Sequence, residues 1–211
     1  MGEPTAAQAG DVALLRARGR HTRWFGLALF LVFAFGEPVL GHTPAVERPL
    51  IALGTLLIMG GGLLRVSCAL FIGGWKNQRL TAAGPYALVR NPLYVGSLLA
   101  TVGVGLATAT LSLTVVLLVA VALYYDRTVR REEAFLIQQF GAPYRAYLAA
   151  VPRWLPRSGT PLSLPDEVTA KPRYVLRGMR DISVLLGLPL ACEAVRAAHA
   201  SGLLPSFYRL W

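Results

Sequence analysis

Two polar stretches in an otherwise apolar chain hold the residues whose types and spacing could do chemistry. The first, GPYALVRNPLYVGS, covers residues 84–97, and the second, REEAFLIQQFGAPYRAYLAAVPRWLP, covers 131–156. In the second, the paired carboxylates Glu132 and Glu133 follow Arg127, Arg130 and Arg131. A glutamate turned into a pocket would bind a cationic group, or help an amine shed its proton before attack. An arginine would hold a carboxylate through two parallel hydrogen bonds. Neighbours on a helix point about 100° apart, so the two glutamates need not share a site. The competing reading is a solvated helix surface laced with ion pairs. In the first stretch, Gly84-Pro85 sets a turn. Pro92 forces Asn91 out of the α region and suits the first turn of a helix, so Asn91 reads as an N-cap whose side chain satisfies a free N–H. Arg90 and Tyr94 would then sit in an interfacial belt, unless they face a ligand. Gly60-Gly61-Gly62 carries the same ambiguity between close helix packing and backbone approach to a ligand.

Other chemistries find little support. Cys68 and Cys192 lie in apolar stretches without a CxxC spacing, which argues against a disulfide framework or a zinc site. His21, His42 and His199 are scattered and form no metal-ligand pattern. No metal site is expected. The formal charge of +10 is not gathered into one patch, which gives nucleic acid little weight as a partner.

The elements that must position these stretches are membrane spans. Of 211 residues, 55% are hydrophobic and 15% charged, against about a quarter charged in soluble domains. Apolar runs at 24–40 and 50–74 are each near the roughly 20 residues a helix needs to cross the hydrocarbon core. The run 92–125 is too long for one crossing, and both its flanks are rich in arginine: ten basic residues in 126–180, and Lys76, Arg79 and Arg90 before it. Basic flanks stay on the cytoplasmic side. The run must therefore cross twice, as a hairpin turning at 107–112, and this brings the two polar stretches to one membrane face. Its second arm continues out of the membrane until Gly141, with Pro143 just beyond. The expected class is all-α, a polytopic bundle of four core transmembrane helices plus a fifth C-terminal one. It divides into a cytoplasmic segment 1–23, a core 24–156, a connector 157–180 and a membrane or interfacial helix in 181–211. Arginine far outnumbers lysine, which fits a GC-rich genome and a bacterial inner membrane.

In this order, flanking a membrane hairpin, the two stretches resemble the integral membrane methyltransferases of the isoprenylcysteine carboxyl methyltransferase and phospholipid methyltransferase group. The likeness covers residues 60–156. It implies an S-adenosyl-L-methionine site at the cytoplasmic face, without a Rossmann domain. By similarity Gln78, Leu80, Thr81, Tyr86, Asn91, Pro92, Leu93 and Tyr94 would wrap the cofactor, with Glu132 its acidic contact, Glu133 beside it, and Gly60 and Gly62 matching a Gly-x-Gly of the preceding helix. The family's substrate-facing arginine falls nearest Arg127, since position 128 is threonine; Arg90 is the other candidate. Asn91 stands where the isoprenylcysteine branch has histidine, and NPLYVGS leans to the phospholipid branch. FGAPYRAYLAAVPRWLP leans the other way, so the substrate does not follow from either. The implied activity is methyl transfer to a carboxylate, amine or hydroxyl of a lipid or lipophilic small molecule. The alternatives are a reductase-like relative binding a nicotinamide cofactor, and a non-catalytic membrane scaffold. Oligomeric state is not legible.

Overall fold

The computed structural model describes residues 35–38, 44–75, 78–160 and 162–210. The expected N-terminal segment, most of the expected first span, and Lys76 lie outside them. The chain divides into a larger compact unit, residues 38–194, and a smaller one that includes 35–37 and 195–209. In the smaller unit the Phe207 N–H donates to the Phe35 carbonyl at 3.0 Å, and their rings lie 5.7 Å apart. A two-stranded ladder joins β1 (Gly36–Pro38) to β2 (Tyr208–Leu210).

The larger unit is helical. Its long elements are α1 (Pro44–Ile72), α3 (Pro92–Ala107), α4 (Leu111–Phe140) and α6 (Pro172–Ala200), of which the last six residues fall in the smaller unit; α2 (Pro85–Leu88) and α5 (Ala142–Ala150) are short. Helices α1, α4 and α6 are each long and apolar enough to cross a membrane. Leu53, Leu56, Leu63, Val115, Val116 and Val119 are exposed along α1 and α4, which suits helices whose outer faces meet lipid.

Small residues set the closest packing. Gly54 and Gly61 on α1 meet Gly103 and Gly96 on α3, in antiparallel register. A Cβ on Gly54 would sit 2.6 Å from the Gly103 carbonyl oxygen, and one on Gly96 would sit 2.7 Å from that of Gly61. A spacing of seven holds both pairs on one face of each helix. With no hydrophobic force between helices in lipid, such backbone proximity supplies the dispersion contacts. On the neighbouring face of α1, a Cβ on Gly62 would meet Ile182 of α6 at 2.6 Å, and one on Gly178 of α6 would meet Val66 at 3.2 Å.

The α3–α4 hairpin turns where expected. Thr108, Ala109 and Thr110 at its tip are buried. The Thr108 hydroxyl donates to the Gly105 carbonyl at 2.6 Å and Thr114 to that of Thr110 at 2.7 Å, so these polar groups are satisfied locally. At 30 residues, α4 is about 45 Å long and outruns a hydrocarbon core of roughly 30 Å. It stops at Gly141, whose φ of 64° lies in the left-handed region.

One boundary differs from expectation. The C-terminal helix starts at Pro172, inside the stretch read as connector. Proline suits a first helical turn, and arginines such as Arg173, Arg177 and Arg180 are good helix formers, so charge marks the end of the apolar run and not of the helix.

Candidate functional site

The segment between α1 and α3 is pinned from several sides. The Trp75 ring is flanked by the Arg79 guanidinium and the Lys171 ammonium, each 4.3 Å from its centroid. Lys171 Nζ donates to the Gly74 carbonyl at 3.0 Å. Gly84 has φ 60° and a Cβ there would run into the Phe71 ring, so glycine is needed twice over. Its N–H donates to the Ser163 carbonyl at 2.7 Å. The two polar stretches then meet directly. The Tyr147 hydroxyl donates to the Tyr86 carbonyl at 2.8 Å, and the Arg90 N–H donates to the Pro152 carbonyl at 2.8 Å.

The paired glutamates separate by role. Glu133 is buried. It accepts from Arg153 Nε at 3.2 Å and Nη2 at 2.5 Å, and Arg90 Nη1 lies 3.3 Å away. One carboxylate thus ties an arginine from each stretch, the arrangement a buried charge requires. Glu132 points elsewhere. The Tyr94 hydroxyl donates to its Oε2 at 2.8 Å, and the Tyr94 ring meets Tyr125 edge-on at 4.8 Å.

Glu132 lines a cleft between the two stretches. Leu80, Thr81, Tyr86, Asn91, Leu93, Tyr94 and Arg90 line it too. The structure therefore gathers seven of the twelve cofactor candidates, and one of the two arginines, around one space. Gln78 and Pro92 border the segment without lining the cleft, and Glu133 lies behind it in the clasp. Arg127 is exposed on α4 and does not reach it. Gly60 has nothing within 4 Å of a built Cβ, and Gly62 faces Ile182, so neither glycine is brought to the cleft.

Sequence reasoning did not single out Ile72, Arg79, Leu136, Phe140, Tyr144 and Tyr147, which complete the lining. The i,i+3 pair Tyr144 and Tyr147 in GAPYRAY was the available signal, since that spacing puts both on one helix face. Arg153 was also missed. Burial, and then the neighbouring Glu133 charge, push the Tyr144 hydroxyl up to about 12. Burial also raises Tyr86 and Tyr147. All three remain neutral donors at physiological pH.

Asn91 corrects one expectation. It is the residue before α3, but its side chain makes no capping hydrogen bond. Its Nδ2 is buried without a partner, as is Arg90 Nε. A buried amide donor left unmatched beside a cleft is available to a ligand.

The family model for phospholipid methyltransferase matches residues 49–143. The cobalt-zinc-cadmium resistance protein CzcN of Cupriavidus metallidurans is 36% identical over 181 residues, covering 82% of each chain. The nickel-cobalt-cadmium resistance protein NccN of Alcaligenes xylosoxydans xylosoxydans is 30% identical over 171 residues, covering 78% of this chain and 76% of that one. No solved structure matches. The family match runs from α1 into α5 and takes in every residue lining the cleft except Tyr144 and Tyr147. By that match and by its likeness to two relatives over most of their length, the chain belongs to the phospholipid methyltransferase family of membrane proteins.

Proposed function

We propose that the cleft binds S-adenosyl-L-methionine and that the protein transfers its methyl group to a lipid-like acceptor at the membrane surface. One observation carries the reading: Asn91, whose buried Nδ2 has no partner, lines the same cleft as Glu132. A ligand bearing both a carboxylate and cationic groups fits that pairing. Asn91 and Arg90 would hold its anionic end, and Glu132, oriented by Tyr94, its ammonium or ribose hydroxyls. Tyr86, Phe140, Tyr144 and Tyr147 offer flat apolar surface to a base. Leu80, Thr81 and Leu93 close the remaining walls.

Bound there, the cofactor supplies a methyl group already activated by its sulfonium charge. What is left to the protein is alignment and exclusion of water. The neutral tyrosines and the Glu133 clasp serve both ends, because they close the cleft without adding a nucleophile that would compete for the methyl group. A catalytic base is not required for a carboxylate acceptor, whereas an amine must lose its proton first. The excess of arginine in 126–180 favours a cytoplasmic cleft in a bacterial inner membrane. The names of the two relatives favour metal resistance as the setting.

Calorimetry on the purified full-length protein with S-adenosylhomocysteine tests the reading. One-site binding is expected, weakened about tenfold or more, roughly 1.4 kcal/mol or above, by Glu132→Gln. No heat with either S-adenosylhomocysteine or the methyl donor would end it. Binding of NADPH at the same site would favour the reductase-like alternative.

A further inference from the structure

A second space, with a cavity volume of about 520 Å³, lies between α1, α3, α4 and α6. That is within the roughly 300–1,000 Å³ of small-molecule sites. One end is charged and polar, carrying Arg65, Ser97, Arg180 and Asp181; the rest is walled mainly by apolar side chains including Val104, Leu117 and Val121, with Thr101 and Tyr125 among them. The Arg65 guanidinium donates to the Ser97 hydroxyl, which itself donates to the Leu93 carbonyl at 2.9 Å. Asp181 Oδ2 is 4.0 Å from Arg65, and Asp181 Oδ1 is 3.5 Å from Arg180. Two guanidinium groups thus face one carboxylate. Both arginines sit on helices long enough to cross a membrane, where a charged side chain is costly and reads as a functional site by default.

The position of this space matters as much as its lining. Tyr125 lines it, and Tyr94 lines the cleft. The two rings are in contact at 4.8 Å. A single aromatic layer therefore separates the charged groove from the cleft that holds Glu132.

We infer that this groove binds an amphiphile with an acidic head group, a carboxylate or a phosphate monoester. Its head lies at Arg65 and its tail among the apolar residues of α3 and α4. Head-group recognition follows from the unbalanced arginine charge, and tail recognition from walls that are mainly apolar, in which the Thr101 hydroxyl already donates to the Ser97 carbonyl at 2.8 Å. The role of this ligand as the methyl acceptor rests on the proposed function; its binding does not.

The test uses the full-length protein in neutral detergent, with radiolabelled palmitic acid as probe and hexadecyl phosphate, hexadecanol and hexadecylamine as competitors. Palmitate and hexadecyl phosphate should each bind about tenfold or more tighter than hexadecanol, the scale of a charge-assisted contact. The order of those two identifies the head group. Arg65→Gln should bring palmitate down to the level of hexadecanol, Arg65→Lys should restore part of the difference, and Val104→Trp should exclude palmitate and hexadecanol alike. Equal binding of hexadecanol or hexadecylamine would overturn the inference, as would undiminished palmitate affinity in Arg65→Gln. S-adenosylhomocysteine binding, measured on the same samples, reports whether each variant is folded. If Arg65→Gln loses it, Arg65→Lys and Val104→Trp decide. Cofactor binding without head-group discrimination sinks the groove alone. Palmitate discrimination without cofactor binding sinks the proposed function alone.

Discussion

The Tyr94 hydroxyl on α3 donates to Glu132 on α4 at 2.8 Å, across 38 residues of sequence. This bond fixes which of two adjacent glutamates faces the cleft, and it predicts a clean functional variant. Tyr94→Phe removes one hydroxyl from an otherwise unchanged wall. Losing a hydrogen bond to a charged group costs about 1.5–3 kcal/mol, so affinity for S-adenosylhomocysteine should fall by roughly ten- to a hundredfold. The bond is also made without ligand, so the thermal midpoint should fall as well, by a few degrees. Calorimetry and a melting curve on the same preparation check both halves.

Glu132 and Glu133 should respond in opposite ways. Glu133→Gln leaves Arg90 and Arg153 without their shared carboxylate, and breaking a buried pair costs about 3–5 kcal/mol. Expression and melting temperature should drop sharply. Glu132→Gln should melt close to the parent while losing cofactor. If both variants unfold alike, the division of roles between them is mistaken.

The glycines of α1 make a graded series. Gly61→Ala drives a Cβ into the Gly96 backbone and should destabilise the α1–α3 contact. Gly60→Ala meets nothing within 4 Å and should stabilise by up to about 1 kcal/mol through helix propensity. Unfolding in detergent ranks them. Loss of cofactor binding in a well-folded Gly60→Ala protein would return that glycine to the site.

Alkaline pH should weaken the fold by way of α5. Burial holds the Tyr144 hydroxyl at about 12, above its ordinary value near 10. The folded state then keeps a proton that the unfolded chain gives up. That contribution is whole below about pH 10 and is lost as pH rises towards 12. Tyr144→Phe should flatten the fall. Melting temperatures from pH 8 to 12 on the two proteins make the comparison.

What the sequence disclosed follows from the range over which each signal acts. The hairpin was legible because charge parity is a global constraint: two basic flanks on one face require an even number of crossings. The stop at Gly141 was legible because a left-handed C-cap is local chemistry. The choice between Glu132 and Glu133 was not, since a helix fixes their angular separation but not its absolute phase. The same lack of phase hid that Gly61, and not Gly60, meets α3. Arg153 could not be found from the chain, because it follows α5 in irregular backbone and its partner lies 20 residues away on α4. Arg65 is harder still: its polar contacts, Ser97 and Asp181, come from two further helices.

The hairpin tip also bears on how the protein is made. Helix α3 has 16 residues and is about 24 Å long, short of a roughly 30 Å core. Its C-terminal end runs straight into buried threonines that are satisfied only within the turn. A nascent chain halted at Ala107 would present the translocon with a span too short to hold and a frayed polar end. Release into the bilayer must wait until the apolar half of α4 has emerged, so the two arms enter the membrane as one insertion event.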